Sequence, residues 1–124
     1  MALTVDDQTT LSQLKNAMAA FVDERDWMQF HSPKNLAMAI AAEAAELMEP
    51  LMWVDGEASH ALVHDPKRRH AISDELADIV LAAVQFANVS GIDIATAVRD
   101  KLVKNERKYP VDKAHGNATK YTEL

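Results

Sequence analysis

The stretch Glu43-Ala44-Ala45-Glu46 puts carboxylates on a helix face that its neighbours mark as buried. Leu36, Ile40, Leu47 and Leu51 recur at helical steps and define one apolar stripe. Glu43 points along that stripe, Glu46 falls one turn on at its flank, and Glu49 repeats the spacing. An ionised carboxylate turned toward a core is costly unless a positive group meets it there. Glu75-Leu76-Ala77-Asp78 repeats the arrangement within Ile72, Leu76, Ile79 and Val80. Two E-x-x-[ED] pairs on two apolar helices point to one shared cation. The rest of the chain reads as scaffolding for that site.

The elements follow from local signals. Only three glycines and four prolines interrupt 124 residues, alanine is abundant and no strand-like alternation persists, so the chain is expected to be all-α. Residues 1–9 read as a loose, flexible leader. Thr10 with Gln13 forms a capping box, after which Leu11, Leu14, Met18, Phe21 and Val22 trace a stripe up to about Trp27. Ser32-Pro33 opens a second helix, which Pro50 should kink or weaken and Trp53-Val-Asp-Gly56 should close. Residues 57–64 are expected to be a connector with at most a short helical turn. Asp65-Pro66 opens a third helix that Gly91 ends, and Asp93 caps a fourth with Ile94, Val98 and Leu102 inward, stopped by Pro110. The domain therefore spans 10–110, with 111–124 as a tail. From Ile79 to Val89 the third helix is apolar on nearly every face, interrupted mainly by Gln85 and Asn88. A helix without a solvated face needs neighbours all round, which predicts an oligomer.

Composition narrows the function. A net charge of −6 argues against nucleic acid as the main partner. The absence of cysteine removes disulfides, thiolate chemistry and Cys-ligated zinc. No apolar run reaches the length of a membrane span and no signal-peptide pattern opens the chain, so no membrane partner and a cytoplasmic location are expected.

Two i,i+3 carboxylate pairs supply oxygen donors alone, which suits Mg²⁺, with Mn²⁺ as a substitute, completed by substrate phosphates. The bland alternative is that the acids are solvated or paired with Lys34, Arg68 or Arg69. A carboxylate di-iron centre wants Glu-x-x-His on two helices, which is missing here. His60 and His64 are spaced i,i+4 but lack a third zinc ligand. Lys101, Asn105 and Lys108 share a face of the fourth helix and suit phosphate oxygens, unless they only compensate the helix dipole. Trp27, Phe30, His31 and Trp53 flank the acidic helix and could stack a nucleobase or simply pack.

Together these residues resemble the MazG-like superfamily of all-α nucleoside triphosphate pyrophosphatases, most closely the dCTP pyrophosphatases. The resemblance rests on Glu43 and Glu46, then Glu75 and Asp78. It extends through Glu24-Arg-Asp-Trp27, Gln29-Phe30-His31, Pro33-Lys-Asn-Leu36, Trp53, Asn105, Tyr109-Pro-Val111 and Lys120-Tyr121-Thr122. It implies a four-helix bundle assembled into a homo-oligomer, a tetramer rather than a dimer, with sites built across subunits. It implies hydrolysis of a dNTP, preferably dCTP or modified dCTP, to dNMP and pyrophosphate. Glu43, Glu46, Glu75 and Asp78 would hold magnesium and form the catalytic set. Trp27, His31 and Trp53 would line the base pocket, and Lys101, Asn105, Lys108 and Tyr109 would meet phosphates or sugar. Relatives of this kind carry a tyrosine one turn beyond the aspartate, where this chain has Ala82. The other reading is a non-catalytic helical oligomer that binds nucleotide or divalent metal as a sensor.

Overall fold

Each long helix starts at the side chain that the sequence marks as its cap. In the computed structural model, which describes residues 2–124, α1 (Leu11–Asp23) opens on the Thr10–Gln13 box, the Gln13 amide donating to Thr10 Oγ1 at 3.1 Å and Gln13 Oε1 accepting from the Thr10 amide at 2.7 Å. Ser32 caps α2 (Pro33–Met48) and Asp65 caps α4 (Pro66–Ser90), each followed by proline at the first helical position. Asp93 caps α5 (Ile94–Lys108) through the Thr96 amide and hydroxyl. Gly91 ends α4 at φ 70°, a left-handed turn that costs glycine nothing. All elements among the described residues are helical, and no strand occurs among them.

Four features differ from the sequence expectation. First, α1 ends at Asp23 rather than near Trp27, because Asp26 adopts φ 53° and closes a Schellman turn: the Trp27 amide donates to Val22 O and the Asp26 amide to Asp23 O. Glycine is the usual signal for that turn, and aspartate hides it. Second, the 57–64 connector is mostly a helix, α3 (Gly56–Leu62), because Asp55 accepts from the Ala58 amide at 2.7 Å and makes Gly56 a first residue rather than a stop. Third, the tail holds a further short helix, α6 (Val111–Ala114). Fourth, Val98 and Leu102 of α5 do not face inward in this chain but stand 53% and 56% exposed. Periodicity identifies an apolar face without saying what covers it. Pro50 acts as expected, since α2 passes at Met48 into a 3-10 turn over Glu49–Leu51.

The chain divides at Gly91 into two compact units, residues 2–91 and 92–124. In the first, α4 is the axis: α2 packs along it most extensively and α1 packs beside it. Val22, Leu36, Ala82, Val84 and Ala87 are the buried apolar residues. The two polar breaks in the apolar run of α4 make a latch. Gln85, 1% exposed, donates to Met28 Sδ, while Asn88 donates to the Lys15 carbonyl at 2.9 Å and to Gln85 Oε1 at 3.1 Å. In the second unit Tyr109 and Tyr121 meet edge-on with centroids 5.9 Å apart, and the Lys108 ammonium lies 4.7 Å over the Tyr121 ring.

Candidate active site

The α2–α4 seam brings the two acidic pairs together. Glu43, Glu75 and Asp78 can each point one oxygen into a space where all three lie within 4.8 Å of one another. Glu46, on the exposed flank of α2, lies within hydrogen-bonding reach of both Glu43 and Glu75. Burial pushes the Glu43 carboxyl above its ordinary range, reinforced by Glu46 and Asp78. The Glu75 carboxyl is also raised, first by its contact with Glu46, then by desolvation and the neighbouring charges. The Oε2 atoms of both Glu43 and Glu75 are buried without a hydrogen-bond partner. With all four acids ionised no proton exists to bridge them. Either a carboxyl retains a proton or a cation fills the gap.

None of the ion pairs among the described residues neutralises these acids. Arg68 approaches Asp65 at 3.9 Å, Arg69 donates to the Val63 carbonyl at 3.0 Å, and His70 faces Asp74. Pairing with Arg68 or Arg69 therefore does not explain the acidic cluster. An all-oxygen donor set with two unsatisfied buried oxygens fits a hard divalent ion.

Two cavities flank the cluster along the seam. One, of about 410 Å³, is lined by Glu43 and Asp78 at one side and otherwise mainly by apolar residues, among them Phe21, Leu36, Leu81 and Ala82. His31 reaches into this lining, and its Nδ1 is buried with no partner. The ring-rich connector that carries His31 is held at several points. Gln29 donates to the Asp26 carbonyl, Asn35 donates to Phe30 O at 3.0 Å, and Gln85 reaches Met28. Trp27 stands edge-on to Phe21 at 5.7 Å, with the Arg25 guanidinium 3.7 Å over the Phe21 ring. The other cavity, of about 270 Å³, is lined by Glu46, Glu49, Pro50, Lys67, Arg68, Ala71, Ile72 and Glu75.

Of the residues singled out in the sequence, the seam unites the four acids with His31. Trp27 joins the cavity wall through Phe21. Trp53 lines neither cavity and is 87% exposed. Lys101, Asn105, Lys108 and Tyr109 lie on or just after α5 in the second unit, with Asn105 half-buried and both lysines exposed. The sequence reading missed Leu3 and Phe21 in the apolar lining, Lys67 in the charged one, and the Gln85 latch. The polar breaks at Gln85 and Asn88 were the available signal for that latch.

A MazG-like family model matches residues 38–124, which span both acidic pairs. The chain belongs to the MazG-like family. It is 38% identical over 117 residues to dCTP pyrophosphatase 1 of Bos taurus and similarly to that of Homo sapiens, covering 94% of this chain and 69% of either relative. A pyrophosphatase from Archaeoglobus fulgidus superposes with a TM-score of 0.76 at 31% identity, covering 89% of this chain and 98% of its own. The chain is accordingly a nucleoside triphosphate pyrophosphatase. Among the described residues no single helix is long and apolar enough to cross a membrane.

Proposed function

We propose that the protein hydrolyses deoxynucleoside triphosphates, dCTP and modified dCTP first among them, to the monophosphate and pyrophosphate, keeping a cytoplasmic nucleotide pool clean. The observation that carries this is the junction of an apolar cavity with the acidic cluster: Glu43 and Asp78 line the cavity that holds His31 and Ala82. The similarity to dCTP pyrophosphatase 1 supports the choice of base.

Glu43, Glu46, Glu75 and Asp78 would hold Mg²⁺, or Mn²⁺ in its place. Such an ion supplies charge neutralisation to the phosphates and to the leaving pyrophosphate. The side chains do the rest. The apolar walls exclude water from the base, His31 offers its edge a hydrogen-bonding nitrogen, and Trp27 buttresses that wall. Water adds across the bridge between the α- and β-phosphates. The proton it gives up passes to a carboxylate of the cluster and on to solvent. Lys101, Asn105, Lys108 and Tyr109 serve phosphate or sugar, and Tyr121 fixes Lys108 and Tyr109.

We further propose that residues 10–110 form the catalytic domain, between leader 1–9 and tail 111–124, as a four-helix bundle within a homotetramer. Exposed apolar side chains on several helices support assembly: Met38 and Met48 on α2, Leu76 on α4, Val98 and Leu102 on α5. Isolated residues of this kind are ordinary, but runs along helix faces mark contact surfaces. Trp53 would act within such an assembly. Pyrophosphate release from each of the four dNTPs tests the substrate reading, and equal rates on all four would remove the cytosine preference. Sedimentation at micromolar concentration tests assembly, and a stable monomer would end that part of the proposal.

A further inference from the structure

The two helices of the seam run antiparallel, so their residues meet in a fixed order. From the apolar cavity the order is Leu36 and Ala39 with Ala82, then Glu43 with Asp78, then Glu46 with Glu75. Last come Glu49 and Pro50 with Lys67, Arg68 and Ala71. A nucleotide with its base among the first group and its α-phosphate near the acids has one direction left along this seam. From Glu46 to Pro50 is about one helical turn, roughly 5.4 Å of axis, a span comparable to two bridged phosphate groups.

We infer that the charged cavity at the far end of the seam is the subsite for the leaving pyrophosphate, with Lys67 and Arg68 as its cationic groups. The inference rests on the reading above that a triphosphate is the substrate. Asp65 accepts from the Lys67 amide at 3.1 Å and so fixes the first turn of α4. The Lys67 ammonium makes no ion pair among the described residues, and Arg68 meets Asp65 only at 3.9 Å through Nε. The remaining guanidinium nitrogens and the ammonium are therefore available to phosphate oxygens. Three carboxylates, Glu46, Glu49 and Glu75, share the lining with these two cations, a formal charge of −1. Alone, the cavity repels an anion. With a divalent ion held by the acidic cluster that sign would be reversed, so pyrophosphate binding should depend on the metal.

Calorimetry with inorganic pyrophosphate on the full-length protein tests this directly. In magnesium, Lys67→Ala and Arg68→Ala should each weaken pyrophosphate binding about tenfold, the worth of one charge-assisted hydrogen bond. Binding of dCMP should be unchanged, Lys67→Arg should restore pyrophosphate affinity, and EDTA should abolish it in every variant. Unchanged pyrophosphate affinity in both alanine variants would overturn the assignment, as would equal losses for pyrophosphate and dCMP. The two readings fail separately: a wild-type protein that binds pyrophosphate through Lys67 and Arg68 yet leaves every dNTP intact keeps the subsite and loses the proposed reaction.

Discussion

At the Leu36–Ala82 end of the α2–α4 seam the lining is almost wholly apolar, with His31 as its principal polar feature away from the acids. At the Pro50–Lys67 end five of the eight lining residues carry charge. Both α2 and α4 contribute to each end, α1 and His31 complete the apolar one, and the four acids lie where the two ends meet. The contrast separates recognition from charge handling. An apolar wall can select by shape and by one hydrogen bond, whereas a wall of mixed charge responds to phosphates and metal and is indifferent to the base.

The largest expected effect falls on the acids where the two ends meet, Glu43 and Asp78 on one side and Glu46 and Glu75 on the other. Glu46→Gln or Asp78→Asn should lower kcat/KM on dCTP about a hundredfold or more, the scale of losing one preorganised electrostatic group. The fold should survive, since either change relieves repulsion among neighbours. Near-normal hydrolysis in magnesium would remove that residue from the metal site.

Trp53→Ala comes next. Losing a stacking partner should cut kcat/KM on dCTP by about tenfold or more. Because Trp53 lines neither cavity within one chain, a loss of that size places the ring in the site through assembly. An unaffected variant confines base recognition to the cavity seen here.

Ala82→Tyr probes the apolar end alone. A ring at this buried position should shrink the 410 Å³ cavity and sharpen base choice, lowering activity on dNTPs other than dCTP by about tenfold relative to dCTP. Pyrophosphate affinity should not move. A parallel loss at both ends would show that the two are not separable.

The smallest effect is on stability. Glu43 and Glu75 have carboxyls raised above their ordinary value of 4.5 in the folded chain. Between that value and the raised one the native state binds more protons than the unfolded state. The metal-free protein should therefore lose stability as pH rises above that ordinary value and through the raised ones. Magnesium should flatten the slope, and thermal melts across that window with and without EDTA measure both arms. A metal-free protein that gains stability over the same rise would contradict the crowding of these acids.

Much of this site was legible in the sequence because its signals are local. The i,i+3 acids on apolar stripes, the four cap residues, and proline at the starts of α2 and α4 all act within one or two turns. The pairing of Glu43 with Asp78, and of Glu46 with Glu75, adds only that α2 and α4 run antiparallel. Three things lay beyond local reading. Asp26 takes a left-handed turn normally announced by glycine, so the sequence pattern does not mark the end of α1. Asp55 outweighs Gly56, so the helical start of α3 is hidden behind a glycine. Lys67 and Arg68 gain meaning only from Glu46 and Glu49, some twenty residues away, across the seam. The apolar face of α5 shows the same limit, since periodicity found Val98 and Leu102 but not their cover.

On the proposed function, the acidic seam cleaves a nucleoside triphosphate between its α- and β-phosphates. Phosphorus NMR of dCTP incubated with the wild-type protein and magnesium tests it most directly. Wild-type protein should yield dCMP and pyrophosphate in equal amounts, with neither formed in EDTA or by the Asp78→Asn variant. Release of inorganic phosphate with dCDP, or cleavage that continues unchanged without a divalent ion, would contradict it.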